Sequence, residues 1–319
     1  MKNKIILLFK KIANLKGVMK FIVTCVIAIV SLAGVAASAI GIFLSTTPRP
    51  TNIRECFTTE LFKVHLCPTS QSYTRLRNIT PYLRNAVIVS EDANFYNHKG
   101  IDWFELRESF NTNLKKGEYV RGGSTITQQL AKNLYLTSEK SILRKLREAV
   151  IAVQIEGILS KDEILEKYLN VVEFGENIFG VRQAASHYFK KAPSQLSVAE
   201  SAFLAFLLPS PKSYSVSFKR KQLTPFARAR MKLIVNRMWR YKKIDDFEYE
   251  TALAEIDHFF QPPPELTEPE QPAESLETDE SSEHGDSPAE LPVQAEPPDI
   301  EDMPHPDPEE MGSEETDSD

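Results

Sequence analysis

The longest uninterrupted apolar stretch is residues 21–44, 24 positions without a charge. A helix of about 20 apolar residues spans a bilayer, so this stretch predicts a transmembrane helix. Residues 1–20 carry six lysines and no acidic residue. The positive-inside rule keeps such a basic segment in the cytoplasm and sends everything after residue 44 across the membrane. A signal peptide cleaved near Ala37-Ser38-Ala39 is the rival reading, but its apolar core usually runs only about 7–15 residues. The retained single-pass anchor fits the length better.

Beyond the anchor, residues 45–74 read as a linker and the start of an ectodomain, with irregular or short extended structure continuing to about residue 79. From there the apolar spacing is helical. Thr80-Pro81 reads as an N-cap with proline at the first helical position. Leu83, Ala86 and Val87 share a face, and Glu91 falls at that helix's end. Residues 103–114 are rich in large apolar side chains, closed by Lys115-Lys116-Gly117. Gly122-Gly123 before Ser124 and Thr125 reads as a loop that caps a new helix. Thr137 or Ser138 is expected to cap a helix over about residues 140–158, where Leu143, Leu146, Val150, Val153 and Ile158 form a broad apolar face. Ser160 with Glu163 matches a capping box for a helix ending near Asn170. A short apolar helix over 199–208 stops at Pro209. Thr224-Pro225 starts a basic helix to about residue 243, and 247–256 continues helically. Few alternating stretches occur, so the expected fold class is mainly α, with a folded domain over residues 75–258.

The pattern breaks off at residue 261. The last 59 residues hold 12 prolines, 21 acidic residues and no lysine or arginine. Such a segment buries too little apolar surface to offset its ordering entropy, so residues 261–319 are expected to form a disordered acidic tail. Its composition hides the character of the rest. The whole chain has a net charge of -6, but without the tail's 21 acids the remaining 23 face 38 basic residues, a net of +15. A basic body suits an anionic partner such as nucleic acid, anionic lipid or a phosphorylated substrate. Cys56 and Cys67 lie beyond the anchor and pair if that side is oxidising; the alternative is two free thiols. No Cys/His spacing suggests a zinc site.

Four blocks carry candidate chemistry. Glu91-Asp92 is followed by Phe95, Tyr96 and His98, and a carboxylate beside apolar rings can have a raised pKa and act as an acid or base. The Gly122-Gly123-Ser124-Thr125 turn is not a phosphate-binding P-loop, because no Gly-Lys-Ser/Thr follows at the required spacing. It does open a helix whose N-terminus offers N–H groups to an anion. Thr125, Gln128 or Gln129, and Lys132 recur on one face of that helix, which is otherwise an ordinary exposed face. Arg144, Lys145 and Arg147 beside Glu148 form either an exposed ion-pair cluster, worth only about 0–1 kcal/mol per pair, or a diphosphate site shared with Lys132.

Together these blocks closely resemble glycosyltransferase family 51, the peptidoglycan glycosyltransferases. The pattern E-D-x-x-F-x-x-H-x-G is met by Glu91, Asp92, Phe95, His98 and Gly100. G-G-S-T-[IL]-T-Q-Q-L-x-K-N is met from Gly122 to Asn133, R-K-x-x-E by Arg144, Lys145 and Glu148, and K-x-x-I-L-E-x-Y-L-N from Lys161 to Asn170. The resemblance covers roughly residues 75–255. It departs at Lys190, where the family usually shows glycine after Tyr-Phe, and at Phe179, where tyrosine is common.

The resemblance implies a lysozyme-like, two-lobed helical domain that polymerises lipid II with inversion and releases undecaprenyl diphosphate. It implies Glu91 as general base and Glu148 as a second essential carboxylate. Substrate contacts would come from Asp92, Phe95, His98, Ser124, Thr125, Gln128, Gln129, Lys132, Asn133, Arg144 and Lys145. No tightly bound cofactor or dedicated metal ligand is expected, although a divalent ion (Mg or Mn) can help neutralise the diphosphate. Expected partners are lipid II, the growing lipid-linked glycan, the membrane and other cell-wall synthesis proteins, with no nucleic acid. The expected location is the bacterial inner membrane, with the catalytic domain periplasmic. Many relatives carry a transpeptidase domain, but S-x-x-K and K-T-G are missing here, so the chain reads as monofunctional. The competing functions are a lysozyme-like hydrolase or lytic enzyme, which needs an acid but no diphosphate site, and a non-enzymatic cell-wall scaffold, which leaves the four blocks unexplained.

Overall fold

In a computed structural model of the chain, residues 2–116 and 122–261 are described. The acidic tail lies outside that range apart from Gln261. The anchor is longer than the sequence suggested: one helix, α1 (Lys2–Thr46), runs through both the basic segment and the apolar stretch. Its apolar span is Met19–Thr46. No proline or glycine interrupts the boundary between Lys20 and Phe21, so the backbone continues as one helix.

Residues 45–74, read as a linker and the start of the ectodomain, carry short extended structure and packed residues. Thr47, Pro50 and Ile53 are buried immediately after α1. An antiparallel hairpin follows, β1 (Phe57–Thr58) with β2 (His65–Leu66), closed by a Cys56–Cys67 disulfide. Glu60 N and Leu61 N donate to the carbonyls of Leu134 and Asn133, which fastens this hairpin onto the catalytic blocks.

The remaining elements are chiefly helices: α2 (Pro81–Glu91), α3 (Trp103–Lys116), α4 (Ile126–Tyr135), α5 (Ile142–Ile158), α6 (Lys161–Val171), α7 (Val181–Phe189), α8 (Val198–Leu207), the short α9 (Pro211–Tyr214) and α10 (Val216–Lys219), α11 (Pro225–Arg240) and α12 (Asp246–Asp257). A second small hairpin, β3 (Glu173–Gly175) with β4 (Ile178–Phe179), separates α6 from α7. The caps legible in the sequence are present. Thr80 accepts from Tyr82 N, Thr224 accepts from Ala227 N, and Ser160 and Glu163 form a reciprocal capping box.

One start was misplaced. Ser141, not Thr137 or Ser138, caps α5. Residues 137–140 are all exposed, so an extra helical turn there would bury nothing to offset its ordering cost. The β3–β4 hairpin, α7, α9 and α10 were not foreseen, because their apolar positions are too few to set a period.

Two helix groups share one core. The first packs α4 against α5 and α6; the second packs α2 with α8, α11 and α12. Leu83, Leu130, Ile151, Tyr168, Phe203 and Met231 are all essentially inaccessible within this core. Helix α8 is buried along nearly its whole length, which explains a sequence that is apolar apart from Glu200 and Ser201. Among the described residues, five non-glycine residues adopt positive φ: Lys63, Asn177, Lys190, Lys221 and Lys242. Lys190 is the left-handed C-cap of α7, a position where glycine avoids a cost of about 1 kcal/mol.

Candidate active site

Glu91 is the last residue of α2, and its position is fixed from a different helix group. Gln129 Nε2 on α4 donates to Glu91 Oε2 at 2.8 Å, and the Tyr168 hydroxyl on α6 donates to Gln129 Oε1 at 2.9 Å. The tyrosine is fully buried, so the amide between them is held at both ends. Glu91 retains some exposed surface, but the surrounding protein pushes its carboxyl above the usual range by desolvation. The Gln129 hydrogen bond and the positive charges of Arg230 and Lys132 partly offset that rise. A base with a raised pKa that is open on one side is suited to accepting a proton.

Asp92 has a different job. Its carboxylate accepts from His98 Nε2 at 3.0 Å and from Ile126 N at 3.0 Å. It therefore ties the α2 exit to the start of α4 and orders the loop between them. Asp102 lies in the same buried group, with ligand-type atoms of Asp92, His98 and Asp102 within 4.8 Å of one another. The aspartate oxygens are already engaged: Asp102 accepts from Phe104 N, Glu105 N and Asn94 Nδ2. The group is a hydrogen-bonded brace as it stands.

Several expected substrate contacts point elsewhere. Phe95 is fully buried, packed against Tyr96 and His98 with the Lys161 ammonium 4.5 Å from its ring centroid. It is a core residue that substrate cannot reach. Asp92, His98 and Asn133 are buried as well. Thr125 and Gln128 form a reciprocal capping box at the α4 N-terminus, and the Thr125 hydroxyl also donates to Gly100 O at 2.6 Å. Both are spent on local structure. The glycine there is required by conformation, because Gly100 has φ of 87° and lies against the backbone of Ala152 and Val153.

The cationic half of the site is built on α4 and α5. Glu148 is 2% exposed and is paired with both Arg144, at 3.3 Å, and Lys145. Lys145 Nζ also donates to Ser124 Oγ at 2.6 Å. This is an i, i+3 and i, i+4 arrangement on one helical face, with its carboxylate buried and its cations partly open. Lys132 connects the two halves. Burial is the main cause that lowers its pKa; the charges of Glu148 and Glu91 act against that, while Arg144 and Lys145 add to it. Lys132 makes no hydrogen bond or ion pair among the described residues. A partly buried ammonium without an anion is a ready contact for phosphate.

The structure thus brings together Glu91, Gln129, Lys132, Ser124, Arg144, Lys145 and Glu148, and turns Asp92, Phe95, His98, Thr125, Gln128 and Asn133 to support. It also adds residues to which sequence reading assigned no role. Tyr168 fixes Gln129. Arg230 acts on Glu91, and Glu173, with its pKa raised chiefly by burial, feels Lys212 and Lys132. Tyr168 lies inside the fourth quoted block, where its spacing held a signal. Arg230 is one of many basic residues on α11 and had none.

The transglycosylase family model matches residues 59–239. A biosynthetic peptidoglycan transglycosylase of Aromatoleum aromaticum is 42% identical over 199 residues, covering 56% of this chain and 86% of that one. One from Chromobacterium violaceum is 50% identical over 136 residues, covering 43% of this chain and 60% of the relative. A third, from Herminiimonas arsenicoxydans, is 44% identical over 162 residues, covering 51% and 68% respectively.

Proposed function

This chain belongs to the transglycosylase family, and on that footing we propose that it polymerises lipid II into β-1,4-linked glycan from an anchored position on the outer face of the bacterial inner membrane. The observation that carries this reading is the pairing, across Lys132, of a half-open carboxylate of raised pKa with a buried carboxylate clasped by two cations. A sugar hydroxyl must lose a proton as it attacks an anomeric carbon, and Glu91 accepts it. A positioned base of this kind contributes about 10²–10⁴-fold.

The departing diphosphate gathers negative charge on the opposite face of the sugar. Lys132, Arg144 and Lys145 neutralise it, and such preplaced charge acts most strongly where charge develops in the transition state. Glu148 holds the two α5 cations in place. Attack opposite the leaving group inverts the α-linked donor to a β product. No step is routed through a divalent ion; where Mg²⁺ or Mn²⁺ accompanies the substrate, its charge adds to that of the three side chains.

The amphipathic surfaces support a lipid-linked substrate. Trp103, Phe104, Phe110 and Leu114 of α3 are exposed, as are Ile142, Leu143 and Leu146 of α5, and they follow a membrane-spanning helix in the same chain. A hydrolase of finished glycan would have no use for three converging cations. Incubating the purified full-length protein with lipid II tests the proposal. Long glycan with release of the lipid diphosphate is expected, and cleavage of preformed glycan with no polymer would replace polymerase with hydrolase.

A further inference from the structure

The chain leaves its folded body beside a group of exposed cations. After α12, Phe259 and Phe260 pack into an aromatic cluster with Phe189, Phe203 and Phe218, at centroid distances of 5.2 to 6.2 Å. Lys221 Nζ lies 3.6 Å from the Phe218 ring centroid and 6.0 Å from that of Phe260. Lys190 comes directly after Phe189, and Lys219 and Arg220 lie between Phe218 and Lys221. All four cations are exposed, and none forms an ion pair among the described residues. Lys190 and Lys221 also both lower the pKa of nearby His187, after desolvation, which agrees with a positive local field. Lys191, next along the chain, is neutralised by Glu200 at 2.8 Å.

Two of these lysines stand where the backbone favours glycine. Lys190 has φ of 57° and Lys221 φ of 53°, in the left-handed region that L side chains rarely occupy.

The segment beyond the exit is of opposite sign. Residues 261–319 contain 21 acidic side chains and no lysine or arginine. Glu265 is four residues past Gln261, so at most about 14 Å of chain separates them. Glu268 and Glu270 come soon after. A segment tethered at the edge of its own target acts at an effective concentration on the order of millimolar. Many weak, screened contacts then suffice to hold it near.

We propose that Lys190, Lys219, Arg220 and Lys221 form the docking surface for the acidic tail of the same chain. The tail neutralises the most cationic part of this face and keeps it from other anions, such as anionic lipid headgroups. The surface contains none of the catalytic residues, so the inference does not depend on the proposed reaction.

Zero-length carbodiimide cross-linking of the full-length protein, read by mass spectrometry, tests this. At low salt, tail carboxylates should link to Lys190, Lys219 and Lys221 at least about tenfold more often than to the exposed Lys63, Lys212 and Lys242, and 0.5 M salt (roughly a 4 Å screening length) should abolish the preference. An even spread over exposed lysines, or no links, overturns the proposal. Mixing isotopically light and heavy chains separates the occupants: light–heavy links at this surface would overturn docking within one chain. Lys190→Gly/Lys221→Gly relieves both left-handed positions and so retains the fold. It should lower tail links to the remaining Lys219 severalfold, and unchanged Lys219 yield would count against the surface. Full labelling of these lysines in the tailed protein that only anionic vesicles suppress would assign the surface to the membrane instead.

Discussion

Gln129 hydrogen-bonds to Glu91 across two helix groups, at 2.8 Å, with its own amide oxygen held by the buried Tyr168. The carboxylate at the end of α2 is thus set by a helix that packs mainly on α5 and α6, and the relative placement of the two groups becomes part of the chemistry. Because the Gln129 contact lowers a pKa that burial raises, removing it should raise the pKa further. For a base that works deprotonated, Gln129→Leu should move the acid limb of the pH–rate profile to higher pH. Tyr168→Phe should do so to a smaller extent. A pH series of lipid II turnover checks this, and an unmoved acid limb in both variants would detach Glu91 from the role of base.

Glu91→Gln should reduce polymerisation by about 10²-fold or more, equivalent to roughly 3 kcal/mol of transition-state stabilisation. The amide is nearly isosteric and can still bond to Gln129, so circular dichroism should be unchanged. Single-turnover coupling of lipid II measures the loss.

Glu148→Gln should also be damaging, but through the cations it holds. It leaves Arg144 and Lys145 without the carboxylate that positions them. Arg144→Ala combined with Glu148→Gln should therefore cost less than the sum of the single effects, as expected for residues in one network. Strict additivity of the logarithms of kcat/KM would show that the two act separately.

Much of this was legible because it is local. Thr80-Pro81, Ser160 with Glu163, and Thr224-Pro225 satisfy their helices within a few residues, so sequence spacing is enough to find them. The ion cluster of Arg144, Lys145 and Glu148 was legible for the same reason, being a single helical face. Side-chain direction was not. Phe95 and His98 looked like companions of Glu91, yet one is core and the other braces Asp92, because a turn after α2 reverses the chain. The Gln129–Tyr168 link joins positions 39 apart, and no local period encodes such a contact. The packing of residues 45–74 was hidden for a third reason: its few apolar residues, such as Ile53, pack into a core made chiefly elsewhere in the chain.

Asp92 predicts a stability effect distinct from catalysis. Asp92→Ala removes a charged acceptor from both His98 and the backbone N–H of Ile126, in a buried setting. Hydrogen bonds to charged groups contribute about 1.5–3 kcal/mol, so a loss of roughly 2–3 kcal/mol is expected in urea unfolding. A variant as stable as the parent would mean the brace around His98 is dispensable.

The Cys56–Cys67 bond closes a short loop, with a sequence separation of 11. In the chain-entropy description such a loop contributes about 3 kcal/mol. Reduction should lower the thermal midpoint by several degrees, and Cys56→Ser/Cys67→Ser should reproduce the shift without reductant. Thiol labelling of the unreduced, denatured protein checks the bond itself, and labelling at both positions would reject it.

The join between anchor and body has a mechanical meaning. Helix α1 ends at Thr46, whose hydroxyl is within 3.4 Å of Arg147 on α5, and Arg147 also lies 6.0 Å from the Phe43 ring. Thr47 is already buried. The apolar helix and the helix that carries Arg144, Lys145 and Glu148 thus meet through Thr46, Phe43 and Arg147. A tilt of α1 relative to the body is therefore expected to reach Arg144, Lys145 and Glu148 through Arg147, their neighbour on α5.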